Sequence, residues 1–91
     1  MKKKEDERIK FLYGKILFSL GEIKKAREIF ENLKVKNPEI EVASKYYLAQ
    51  IYEMSGEKEK AKEKYLEIIS FFPQFKKWAT LAEERLKKIS R

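Results

Sequence analysis

The sequence predicts an all-α fold, a stack of two helical hairpins closed by a fifth helix. Three observations carry this. Apolar residues recur at spacings of three and four through most of the 91 residues, the signature of amphipathic helices. Two stretches share one pattern: GEIKKAREIFENLKVKNP at 21–38 and GEKEKAKEKYLEIISFFP at 56–73. Gly21, Pro38, Gly56 and Pro73 fall where the periodic segments end.

The first helix spans residues 6–20, with Ile9, Leu12, Tyr13, Ile16, Leu17 and Leu20 as its expected packing face. Gly21 follows as a residue able to take the left-handed conformation that closes a helix. The second helix, 22–36, places Ile23, Ala26, Ile29, Phe30 and Leu33 on one stripe, and Asn37-Pro38 stops it. The third helix carries Val42, Ala43, Tyr46, Tyr47, Leu48, Ile51 and Tyr52 up to Ser55-Gly56. The fourth carries Ala61, Tyr65, Ile68 and Ile69 up to Pro73.

Gly14 and Ala49 lie mid-helix in equivalent places, where glycine costs about 1 kcal/mol against alanine. A glycine kept there predicts close backbone packing, with Ala26 and Ala61 facing these positions. Phe30 and Tyr65 are expected to fill the wedge toward the next hairpin. Residues 74–90 continue the phase as a first helix without a partner: Trp78, Ala82, Leu86 and Ile89 form its apolar side, and Glu84 stands where Gly14 and Ala49 stood. That charge fits only a capping helix with a wet outer face, where Glu83–Lys87 and Glu84–Lys88 are suitable i,i+4 pairs. Trp78 with Phe71, Phe72 and Phe75 is read as a hydrophobic lock joining the cap to the second hairpin.

These residues resemble the tetratricopeptide repeat family. Its pattern of small residue, turn glycine, alanine, aromatic and closing proline falls on Gly14, Gly21, Ala26, Phe30 and Pro38. It falls again on Ala49, Gly56, Ala61, Tyr65 and Pro73. The period here is one residue longer than the family's usual repeat of about 34. Leu33 and Ile68 replace a late small residue, and Lys58 stands where Ile23 is apolar. The resemblance implies a right-handed stack forming one domain over 1–91, with repeat 1 at about 6–38, repeat 2 at about 39–73 and a cap at about 74–90. The phrase NPEIEVASKYYLAQIYEMSG is similar to repeats of bacterial cell-envelope assembly proteins.

The resemblance also implies a function: a non-catalytic module that binds a protein or peptide in a concave groove lined by the first helices. Equivalent positions then form ladders: Phe11, Tyr46 and Leu81; Lys15, Gln50 and Arg85; Phe18, Glu53 and Lys88; with Arg8, Ala43 and Trp78 before them. The expected groove residues are Arg8, Phe11, Lys15, Phe18, Tyr46, Gln50, Glu53 and Arg85. Rings would bury apolar side chains of the ligand, and Lys15 and Arg85 would hold its carboxylate. Phe11 and Tyr46 divide evenly between core and ligand contact. Phe18 is expected to project outward, since its neighbours already supply a packing face. A Phe11/Phe18 patch raises self-association as the alternative.

Composition bounds the rest. Charged residues make up 41% of the chain, against a usual fraction of about 25%, and are mostly Lys and Glu, as in hyperthermophile proteins. With no cysteine and no histidine, disulfides and the commonest general base and metal ligand are absent. No phosphate loop, nucleophile turn or metal-spaced cluster occurs, so no enzyme activity, cofactor or metal is expected. The net charge of +7 raises nucleic acid as a lesser alternative, but no nucleic-acid-binding motif accompanies it. No apolar run reaches the roughly 18 residues of a membrane span. As written, the chain reads as cytoplasmic; a domain cut from a cell-envelope protein would read the same way.

Overall fold

The structure, a computed structural model, describes residues 4–90 and the side chains of 7–90. It holds five helices: α1 Lys4–Ser19, α2 Ile23–Asn32, α3 Pro38–Met54, α4 Lys58–Phe71 and α5 Lys76–Ser90. No strand occurs among the described residues.

Both hairpin turns are built the same way. Gly21 (φ 84°) and Gly56 (φ 81°) occupy the left-handed region, which a side chain would strain. In the first turn the Glu22 amide donates to the Leu17 carbonyl at 2.9 Å, and the Gly21 amide to Phe18 at 3.1 Å. In the second turn the Glu57 amide donates to Tyr52 at 2.8 Å and Gly56 to Glu53 at 3.1 Å. This paired pattern satisfies the carbonyls a helix end leaves open.

The second helix stops sooner than its periodicity suggests. It ends at Asn32, and Leu33 is already extended at ψ 125°. Pro38 does not terminate α2; it occupies the first turn of α3, where its missing N–H costs nothing. Asn37 caps α3, its side-chain oxygen accepting from the amides of Glu39 (2.9 Å) and Ile40 (3.1 Å). The freed loop is tied back to α1 by the Glu7 carboxylate, which accepts from the amides of Lys36 (2.8 Å) and Asn37 (3.3 Å).

Helices stack in order, α1 on α2, α2 on α3, α3 on α4 and α4 on α5. The first helices also pack against one another, α1 with α3 and α3 with α5, while the backbones of α2 and α4 stay apart. The first helices therefore form the inner surface and the second helices splay outside. The core runs through the stack, with Val42, Ile51, Ala61, Tyr65, Ile68 and Ala82 buried. Arg27 of α2 locks the hairpins together: its guanidinium donates to Glu57 at the start of α4 and to Glu31 (3.0 Å). Tyr52 joins that clamp by donating to Glu31 at 2.8 Å.

Three expectations need correction. On α1, Leu17 packs inward as anticipated, but Ile9, Leu12, Tyr13, Ile16 and Leu20 are 47–72% exposed. The cause lies in the stacking. The equivalent side of α3 is covered by the preceding hairpin, and among the described residues nothing covers it on α1. The aromatic cluster does join the cap to the second hairpin, Phe72 pairing with Phe75 (6.3 Å between ring centroids) and Trp78 with Tyr46 and Tyr47 on α3, but Phe71 takes no part in it. Phe71 is exposed. The pairs Glu83–Lys87 and Glu84–Lys88 stay open, all four side chains lying in solvent. The close packing expected at Gly14 is present, with Phe30 and Ile29 of α2 against it. A Cβ there would stand 2.9 Å from Phe30 Cζ and 3.1 Å from Ile29 Cγ2.

That ring cannot easily move, because Phe30 stacks on Tyr47 at 5.8 Å and 8°. Gly14→Val should therefore lower stability by about 1–3 kcal/mol through overpacking. The check is a urea denaturation: the midpoint falls while the slope holds. A midpoint at or above wild type would mean that the Phe30 ring gives way.

Candidate functional site

The inner surface carries a continuous run of aromatic rings across three helices. Tyr47 stands at its centre. On one side it meets Phe18 (5.5 Å) and Phe11 (6.2 Å) of α1. On the other it meets Tyr46 (6.4 Å) and Trp78 of α5 (6.4 Å). Tyr46 closes the run against Trp78 at 5.5 Å and Tyr65 at 5.8 Å. Phe11, Phe18, Tyr47 and Trp78 are half-buried, and Tyr46 is buried. Rings so placed hold one another rigid and still present part of their surface. Cations lie over both ends, Lys15 Nζ 5.6 Å from the Phe11 centroid and Lys77 Nζ 5.4 Å from that of Trp78.

Beside this run lies a polar network that the ladders did not anticipate. Glu53 accepts from the Tyr65 hydroxyl (2.6 Å), from Arg85 Nε (3.1 Å) and from Arg85 Nη2 (2.9 Å). The side chains of Glu53 and Arg85 are 17% and 36% exposed. Arg85 is thus engaged with a carboxylate of its own chain, and its pKa is raised first by that hydrogen bond. Burial, then the bond to Glu53, pushes Tyr65 up. Burial also raises Tyr46 and takes Tyr52, aided by Glu31, up to about 12.

The predicted groove residues separate accordingly. Phe11, Lys15 and Tyr46 lie together along the aromatic run. Gln50 is half-buried and Arg8 exposed on the same series of first helices. Phe18 does not project outward; its ring packs edge-on against Tyr47. Glu53 and Arg85 form an internal ion pair, so the two cations expected to stand ready for a ligand are reduced to Lys15. Sequence reasoning missed Tyr47 and Lys77. The tandem Tyr46-Tyr47 was the available signal: neighbours 100° apart on a helix can serve the inner surface and the preceding hairpin at once.

A second concavity of about 170 Å³ lies between α2, α3 and α4, with Ser44, Lys45, Lys64 and Glu31 in its wall. It is smaller than usual ligand pockets of about 300–1,000 Å³. Among the described residues no group of His, Cys, Asp or Glu is placed to hold a metal ion. No described helix is long and apolar enough to cross a membrane.

The sequence pattern of the tetratricopeptide repeat matches residues 10–39 and 43–74. The chain belongs to the tetratricopeptide repeat family. Repeats of this family are interaction modules that generally mediate contacts between proteins. No curated protein and no solved structure matches the chain significantly.

The three raised phenols give the tetratricopeptide repeat stack a pH dependence. The folded state favours their neutral form, so their stabilising contribution is complete below the usual tyrosine value of 10.0 and declines as pH rises above it, for Tyr52 until about 12. In an alkaline titration, part of the phenolate absorbance should appear only as the helical circular dichroism is lost. Full phenolate absorbance with intact helices would contradict it.

Proposed function

We propose that the domain binds a peptide segment of a protein partner along the inner surface of α1, α3 and α5, and that the segment combines apolar side chains with an acidic group. The aromatic run from Phe11 and Phe18 through Tyr47 to Trp78 carries this reading. Rigid, half-buried rings bury apolar surface at little entropic cost and are typical anchors of interfaces. Lys15 and Lys77 add positive charge at the two ends of the run, favouring an acidic ligand. Arg85 contributes through position rather than as a free cation, since Glu53 already holds it.

The test begins with a partner recovered by pulldown, reduced to the peptide that binds. Lys15→Glu and Lys77→Glu should each weaken that peptide by at least about fivefold, roughly 1 kcal/mol, with unchanged thermal melts. Both effects should shrink as salt rises. If the double variant melts normally and keeps wild-type affinity, the inner surface is not the binding face. Retention of RNA or DNA at near-physiological salt, in place of a peptide, would also sink the reading.

A further inference from the structure

The open side of α1 is one stripe. Ile9, Leu12, Tyr13, Ile16 and Leu20 follow at intervals of three, one, three and four, so they share a face of the helix. The internal repeat shows what such a face is for. Ser44, Tyr47, Leu48 and Ile51 stand 35 positions after Ile9, Leu12, Tyr13 and Ile16, and all four are buried or half-buried, Tyr47 against Phe11, Phe18 and Phe30 of the preceding hairpin. On α1 the same positions are 61%, 47%, 52% and 56% exposed.

The opposite end of the stack is unlike it. The outward side of α5 carries Lys76, Glu83, Glu84, Lys87 and Lys88, all exposed. Met54, Leu66 and Phe71, the remaining exposed large apolar residues described, do not join the α1 stripe. Among the described residues the stack therefore has one apolar end and one charged end. Head-to-tail contact would press apolar surface onto charge and is disfavoured. Head-to-head contact sets like against like and closes under two-fold symmetry.

We propose that the α1 stripe is a self-association surface, pairing antiparallel with α1 of a second copy. The stripe is itself compatible with that symmetry. Placing its midpoint on the two-fold sets Ile9 opposite Leu20 of the second copy and Tyr13 opposite Ile16. Each copy would bury a few hundred Å² of apolar surface, less than the roughly 800 Å² per partner of a standard interface. The dimer is accordingly weak. Its salt response is opposite to that of the acidic-peptide site. Two chains of charge +7 repel, so added salt strengthens the pairing. The inference concerns a different surface from the inner groove and stands independently of it.

Sedimentation equilibrium from about 1 μM to about 1 mM covers weak interfaces of this kind. Wild type should pass from monomer to dimer, with the midpoint moving to lower concentration in higher salt. Ile16→Glu should stay monomeric across the range with an unchanged melt, since that side chain is exposed in the monomer. Phe71→Glu, an equally exposed change off the stripe, should dimerise as wild type does. The register has its own check: Tyr13→Glu and Ile16→Lys, each monomeric alone, should form a heterodimer when mixed. A wild type that remains monomeric at about 1 mM, an Ile16→Glu variant that still dimerises, or mixed variants that fail to pair would each overturn the proposal.

Discussion

Tyr65→Ala is expected to lower the unfolding free energy by about 3–5 kcal/mol. A domain of this size has only about 5–15 kcal/mol in total, so the loss consumes a large part of it. Tyr65 is fully buried and is the largest such side chain described. It lies on α4, packs its ring on Tyr46 of α3 at 5.8 Å, and directs its hydroxyl to Glu53 at 2.6 Å. Truncation opens a ring-sized cavity at the centre of the second hairpin and removes a hydrogen bond from a half-buried carboxylate. The melting temperature should fall by more than about 10 °C. Tyr65→Phe keeps the ring and should cost about 1.5–3 kcal/mol, the value of a hydrogen bond to a charged acceptor. Equal effects from the two changes would mean that packing contributes little at this position.

Much of the fold was legible because stacked hairpins write their constraints locally. Gly21 and Gly56 announce left-handed turns, and both turns close with the same two hydrogen bonds. Gly14 announces a close approach, which the Phe30 ring supplies. Two things were not legible, for different reasons. Helical periodicity marks Ile9, Leu12, Tyr13, Ile16 and Leu20 as one apolar face, but whether a face is covered depends on a neighbour the periodicity does not name. Charge pairing across helices was also hidden. Glu53 and Arg85 are 32 positions apart, and their meeting depends on how far α5 is rotated over α3. The groove suffered most from this. Repeat register placed Phe11, Tyr46 and Lys15 on the inner surface, but it could not show that Phe18 and Tyr47 lean on each other, nor that Arg85 is already occupied.

Glu53→Ala is expected to be the second most damaging change, at about 2–3 kcal/mol. The carboxylate serves two donors at once, the Tyr65 hydroxyl and the Arg85 guanidinium. Its removal leaves the hydroxyl without an acceptor in a buried position, a cost of about 1–3 kcal/mol. The guanidinium is better off. At 36% exposure it can turn to water, so the loss stays below the 3–5 kcal/mol typical of breaking a fully buried pair. Arg85→Ala should therefore cost less than Glu53→Ala, because Glu53 keeps the Tyr65 bond. Tyr65 should also ionise more readily in the Glu53→Ala protein, since one of the two main causes that raise its pKa is gone. The same change has a consequence for binding. With Glu53 absent, Arg85 becomes available to a ligand carboxylate on the inner surface. Affinity for an acidic peptide should hold or rise even as the melting temperature falls. Tyr47→Ala should lower both, because its ring is shared between the stack and the surface. Glu53→Ala weakening the peptide in proportion to stability would show that Arg85 plays no part in recognition, and the charge of the inner surface would then rest on Lys15 and Lys77 alone.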